Sequence, residues 1–205
     1  MSSVDFSGRF VVFGYGSLIW DLDDLAPHVE LPWEMDTGPA LPMEFSRVSP
    51  KRKLGLVAVL DADHGDPCPT HAIASVRNSI DAAAEDLKRR ERASSVAKIG
   101  AVCMRTGLRR SFAAAVAKEV ETWCRARNAA GAVWADLAPN FAEVTGHAFS
   151  VERACDYLKS LTGENRAEAV RYLHFAPPAT DTPLRRRLAQ ELWWCEAVRE
   201  VVGSG

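Results

Sequence analysis

The chain has 205 residues, 47% of them hydrophobic and 25% charged, with a formal net charge of −2. That is long enough to bury a core as one large domain, or one domain with an extension. A slightly acidic balance argues against a dedicated nucleic-acid binder, which carries a basic excess, and no apolar stretch reaches the length of a membrane span.

The basic clusters SPKRK (49–53), KRRER (88–92) and RRR (185–187) are dispersed and mostly offset by acids, as solvated helix faces are. Five cysteines, at 68, 103, 124, 155 and 195, form no CxxC pair and are odd in number, which argues against a disulfide framework. The N-terminal MSSVDFSGR lacks the basic start and apolar core of a signal peptide. A cytoplasmic protein is expected.

In chain order, FVVFGYGSLIW (10–20) opens with four β-formers that read as a strand buried on both faces. Gly14 and Gly16 follow, where backbone angles or a close approach forbid a side chain. A proline-rich, acidic loop region (21–42) precedes two strands, MEFSRVS and LGLVAVLD. The turn cluster ADHGDPCPT (62–70) leads to a short strand, HAIASV, and Asn78 is placed to cap the next helix. AKIGAVCMRTG reads as a strand after that helix.

The second half is helical. Behind a Ser111 cap, Phe112, Val116, Val120 and Trp123 recur at helical spacing. Ser150 starts a helix that stops by Gly163, and NRAEAVRYLHF is a weaker one, ended by Pro177-Pro178. Thr182-Pro183 opens a last helix with Leu184, Leu188, Leu192, Cys195 and Val198 on one face. Trp193-Trp194 and this leucine stripe are core or a subunit contact, as in a homodimer. With no internal repeat, one α+β domain with a helical C-terminal part is the simplest architecture.

The helix over 79–95 holds the most informative position. Its apolar stripe runs Ile80, Ala84, Leu87, and the next inward step falls on Glu91. A buried ionised acid is costly unless paired. Glu91 is therefore a structural ion pair, with Arg90 at a solvent rim, or a base with a raised pKa. The GxG of the first loop is a plain turn or a nest of backbone N–H groups that attracts carboxylates and oxyanions, with the Ser17 hydroxyl as a further donor. Ile19 stands where a dinucleotide fingerprint needs its third glycine. No metal site is expected. CPTH (68–71) lacks partner ligands nearby, and DADHGD (61–66) lacks the glycine and terminal glutamate of a calcium loop. His28, His147 and His174 stand alone, and no pattern supports a covalent nucleophile.

Taken together, VFGYGSLIW and the RE of DLKRRERAS resemble the γ-glutamylcyclotransferase superfamily, its ChaC-like branch in particular. The loop Tyr15-Gly16-Ser17-Leu18, with the tryptophan that follows, is similar to the branch's N-terminal signature. Glu91 falls at the family's acid/base position, at a comparable distance from the loop. The resemblance covers roughly residues 9–105. The chain departs from the family pattern around the acid, with Arg89 before it and RASSVAK after it.

The resemblance implies a small mixed β-barrel with flanking helices as a core over residues 1–110; the helical residues 111–205 read as an extension of the minimal fold, packed on the same domain. It implies an intramolecular cyclisation, classed as a lyase or acyltransferase. A γ-glutamyl amide or peptide, such as glutathione, would yield 5-oxoproline and an amine without a cofactor. Glu91 would be catalytic, and Tyr15, Gly16, Ser17 and Leu18 would bind the γ-glutamyl unit. A later tyrosine that lines the family's site corresponds to Tyr157 or Tyr172; spacing does not choose, and Tyr172 is carried as the site residue. The partner implied is this small molecule, not nucleic acid or membrane. The alternatives are a non-catalytic member of the fold that binds a small anion, and an interaction protein that uses its helical half.

Overall fold

The structure, a computed structural model, describes residues 4–203; residues 1–3, where the segment read for a leader begins, lie outside it. The chain forms two compact units, Met1–Leu41 with Pro69–Leu137, and Pro42–Cys68 with Ala138–Gly205.

From the N-terminus come β1 (Phe10–Gly14), two 3-10 turns (Gly16–Ile19 and Asp23–His28) and β2 (Val29–Glu34). Then follow β3 (Ala40–Ser49), β4 (Gly55–Leu60), β5 (Asp66–Pro69), β6 (His71–Ser75) and α1 (Ile80–Glu91). Next are β7 (Ile99–Cys103), β8 (Leu108–Arg110), α2 (Ala114–Ala126) and β9 (Gly131–Ala135). Five helices finish the chain: α3 (Phe141–Thr145), α4 (Val151–Ser160), α5 (Gly163–Phe175), α6 (Pro183–Leu188) and α7 (Leu192–Val202).

The first unit is built on a six-stranded mixed sheet in the order β2-β6-β1-β9-β7-β8. β1 runs antiparallel to β6 and parallel to β9, and β7 runs antiparallel to both β9 and β8. It follows that β6 and β7 are parallel, with β1 and β9 between them. The helix that joins them, α1, must cross those two strands, and it packs on β9, β7 and β1. Phe10, Val12, Ile73, Ile99, Ala101 and Val133 meet Ile80, Ala83, Ala84 and Leu87 in one cluster on that face. Each buried valine, leucine, isoleucine or phenylalanine among them contributes about 1.5–3 kcal/mol. On the other face the α2 ring Trp123 packs edge-on against Phe13 at 4.8 Å and donates its indole N–H to the Thr37 carbonyl at 2.7 Å.

The mixed α and β architecture matches the expectation, but the strands do not close into a barrel. Among the described residues β2 and β8 are free edges, because crossovers on both faces hold an open sheet. Gly131–Ala135, which the sequence pattern assigned to the helical extension, is a central strand. Asn78 does not cap α1, whose N-cap is Ser79. The N-cap of α2 is Ala113, with the Ser111 hydroxyl accepting the Ala113 N–H at 3.1 Å, and Phe112 is exposed ahead of the helix.

The second unit holds a three-stranded sheet, β4-β3-β5, with a bulge in β3 between Glu44 and Arg47. Helix α5 packs on β4 and α7, and α4 packs on α6. The expected caps at Ser150 and Thr182 form: each side-chain oxygen accepts a backbone N–H, from Arg153 and Arg185 respectively. Glu44, fully buried, accepts N–H bonds from Phe45 at 2.7 Å and Leu184 at 3.1 Å. Burial pushes its carboxyl above the usual range, and these bonds oppose the rise. The single last helix predicted from Leu184 to Val198 is in fact two. The chain breaks at 189–191, so Leu184 and Leu188 are buried while Leu192 is exposed. Among the described residues no helix is long and apolar enough to cross a membrane.

Candidate functional site

Gly14 ends β1, Tyr15 is extended (φ −154°, ψ 166°), and Gly16 at φ +57° turns the chain into the 3-10 turn Gly16–Ile19. The left-handed angle at Gly16 is one that a side chain disfavours. At Gly14 the reason is contact. A Cβ there would stand 2.4 Å from Trp33 Cη2 and 2.8 Å from Ile19 Cδ1. One glycine admits an indole ring onto the strand's end, and the other bends the loop.

The loop is pinned at two points. Leu18 is buried in the cluster beneath α1. The Tyr15 hydroxyl donates to the Ala135 carbonyl at the end of β9. Asp136, the next residue, accepts from the Phe112 N–H at 2.8 Å and Trp134 Nε1 at 3.0 Å. Ser17 is half-buried, and its carbonyl receives the N–H groups of Trp20 at 3.3 Å and Asp21 at 3.0 Å.

Topology brings the last turn of α1 to this loop. β6 runs against β1 and α1 returns from the far end of β6, so the C-terminus of α1 arrives where β1 exits. Arg90, only 1% exposed, makes the link. Its Nε and Nη2 donate to the Asp21 carbonyl at 2.9 and 2.5 Å, and its Nη1 lies 3.4 Å from Glu91 Oε1. The Glu91 side chain is 19% exposed. The apolar stripe reaches this turn between positions 90 and 91, so the fully inward place predicted for Glu91 belongs to Arg90. Arg92 then takes a left-handed conformation (φ +51°) and ends the helix.

A second charged group holds α1 lower down. Asp86, 2% exposed, receives Arg77 Nε at 2.6 Å and Nη2 at 3.1 Å and also pairs with Arg89. His28 Nε2 lies 3.6 Å away. Burial pushes the Asp86 carboxyl up, but Arg77, His28 and Arg89 together hold it below the usual range. Asp86→Ala is expected to cost about 1.5–3 kcal/mol, the range for hydrogen bonds to charged groups. Urea unfolding measures it, and an unchanged midpoint would remove Asp86 from the scaffold's support.

His71, opposite Gly14 in the β1–β6 register, is 1% exposed. Its Nδ1 accepts the Asp36 N–H at 2.9 Å. Burial pushes the imidazole below its ordinary 6.5, and the Asp36 carboxylate opposes the shift. The sign for stability follows from linkage. Below about pH 6.5 the unfolded chain takes up a proton that the native ring resists, so this contribution is full above that pH and is lost as pH falls. Urea midpoints should therefore drop between about pH 7.5 and about pH 5.5. The drop should be smaller in His71→Gln, and equal drops in both proteins would refute the assignment.

Tyr157 and Tyr172 belong to the second unit. The Tyr157 hydroxyl donates to the Leu54 carbonyl at 2.7 Å. Tyr172 is buried on α5, edge-on to Phe45 at 6.2 Å, with the Arg52 guanidinium 5.4 Å over its ring. Asp86 escaped the sequence reading; Arg90, expected beside Glu91 at a solvent rim, does meet Glu91 but is buried, and His71 figured there only in CPTH and in a short strand. Only the helical period, which fits position 90 as well as 91, offered a signal for any of them. No family model, curated protein or solved structure matches the chain.

Proposed function

We propose that the chain is a cofactor-independent γ-glutamylcyclotransferase-like enzyme acting on a γ-glutamyl amide or peptide, in a cytoplasmic setting. The observation that carries the reading is Arg90, whose guanidinium joins the carbonyl two residues beyond the Gly16–Ile19 turn to the carboxylate of Glu91. An acid and a glycine-bent loop thus share one end of the sheet. The proposal takes from the resemblance its loop and helix, not a closed barrel. The five free cysteines suit the cytoplasmic setting.

The substrate carries its own nucleophile. Glu91 takes a proton from the α-ammonium group, and the freed amine attacks the γ-carbonyl carbon. The ring C–N bond forms as the carbonyl becomes an oxyanion. When the amide C–N bond breaks, Glu91 returns the proton to the leaving nitrogen, and the ring nitrogen gives up its second proton to the released amine, leaving 5-oxoproline and an ammonium product. The first N–H groups of the 3-10 turn, which have no acceptor within it, and the Ser17 hydroxyl are the donors available for the substrate's anionic oxygens. Incubating the pure protein with a panel of γ-glutamyl compounds and assaying 5-oxoproline tests the proposal; no product from any of them refutes it.

One observation favours a second reading, a non-catalytic binder of a small anion. The Arg90–Glu91 contact is also the ordinary way for a protein to satisfy an acid at a helix end. Tight binding of γ-glutamyl compounds without turnover would establish that reading instead.

A further inference from the structure

Two buried N–H donors without acceptors stand beside the glycine loop. Val12 pairs with Ile73 in the β1–β6 register, and both lie in the cluster beneath α1. Gly14 and His71, the next pair on the same face, sit at the end where the loop leaves. Trp33, packed against that cluster, lays its ring on Gly14. Trp33 Nε1 and His71 Nε2 are both buried and have no hydrogen-bond partner.

The state of the imidazole is decided by its other edge. Nδ1 lies 2.9 Å from the Asp36 amide nitrogen and 3.3 Å from Asp36 Oδ1. The shorter contact is a directed N–H donation, which needs a lone pair on Nδ1. The neutral ring therefore carries its proton on Nε2, as does the indole on Nε1. This excludes Nε2 as a metal ligand and makes it a donor. A buried donor without an acceptor costs about 1–3 kcal/mol, and orphans of this kind are rare enough to need a reason.

We propose that His71 Nε2–H and Trp33 Nε1–H form a subsite for a carboxylate of the ligand held at the Gly14–Leu18 loop. A carboxylate supplies two acceptor oxygens and makes stronger bonds to neutral donors than a carbonyl does. The identity of that ligand as a γ-glutamyl compound rests on the proposed function; the donor pair does not. On that reading the subsite holds a carboxylate that takes no part in bond making. It contributes equally to ground state and transition state, so its loss raises KM and spares kcat.

The test is a titration of the full chain followed by ¹H–¹⁵N spectra of its indole and imidazole groups, with Trp33→Phe and His71→Phe identifying the two signals. The probes are 5-oxoproline, L-glutamate and 2-pyrrolidinone, the last being 5-oxoproline without its carboxylate. Both N–H signals should move with 5-oxoproline or L-glutamate and stay in place with 2-pyrrolidinone. Trp33→Phe, which keeps a ring over Gly14, should raise KM about ten- to a hundred-fold, the worth of one charge-assisted bond, at unchanged kcat. Signals unmoved by both carboxylates, or moved equally by 2-pyrrolidinone, overturn the subsite. Signals that move in a protein without turnover uphold the subsite and refute the reaction. Turnover with unmoved signals does the reverse.

Discussion

Glu91→Gln is expected to lower 5-oxoproline formation by about 10²–10⁴-fold, the usual worth of a positioned general acid–base, while substrate affinity changes little. Glutamine is nearly isosteric and can still accept from Arg90 Nη1, 3.4 Å from Glu91 Oε1 in the wild type. The link from Arg90 to the Asp21 carbonyl is then left intact. What disappears is the capacity to take the ammonium proton and hand it to the leaving amine. Steady-state assays with the best γ-glutamyl substrate, alongside calorimetric binding to the variant, separate the two effects. A variant that keeps its kcat has no acid–base role at position 91. A variant that loses affinity and kcat together assigns Glu91 to binding.

Arg90→Met should be the most damaging single change in the last turn of α1. The side chain is 1% exposed, so methionine fills part of the volume but leaves the Asp21 carbonyl without its two donors. Losing hydrogen bonds from a charged donor to this half-buried carbonyl costs about 1.5–3 kcal/mol. Urea unfolding reads the loss, and hydrogen exchange should locate it as faster exchange of the Trp20 and Asp21 amides, both bonded to the Ser17 carbonyl. Arg90→Lys should fall between wild type and methionine. It keeps the charge but cannot offer two N–H groups in a fixed fork to one carbonyl. Wild-type stability in Arg90→Met would mean that the loop is held without the guanidinium, which is then not the link between acid and loop.

Much of this arrangement was legible in the residues. The run Phe10–Phe13, the two glycines, the strand near 55–60 and the caps at Ser150 and Thr182 each depend on local chemistry. β-branched and aromatic runs, positive-φ glycine and side-chain oxygens ahead of a helix act within a few residues. β9 was missed for a related reason. Four of its five residues are buried, so Gly131–Ala135 shows no alternation of apolar and polar side chains. The last helix was read as continuous because Leu184, Leu188 and Leu192 keep a helical period. The chain breaks at 189–191 and leaves Leu192 exposed, which no period reports.

At the candidate site the division is sharper. Helical spacing brought the inward stripe to the last turn of α1 but could not separate two adjacent positions, because each turn spans 3.6 residues. Arg90 took the buried place because the carbonyl of Asp21, 69 residues earlier, was there to receive it. His71 looked like part of a short strand. Its burial opposite Gly14 and the Asp36 N–H bond to its Nδ1 both come from residues distant in sequence.

The sequence by itself determined the local pieces: a strand that must end in a bent, glycine-opened loop, and a helix whose apolar side ends in charge. Tertiary structure alone decided which charged group went inside and which buried N–H groups were left without acceptors. The physical reason is that burial and hydrogen-bond pairing are set by partners distant in sequence. The cost of an unpaired polar group therefore becomes defined only when the sheet and α1 have closed on one another.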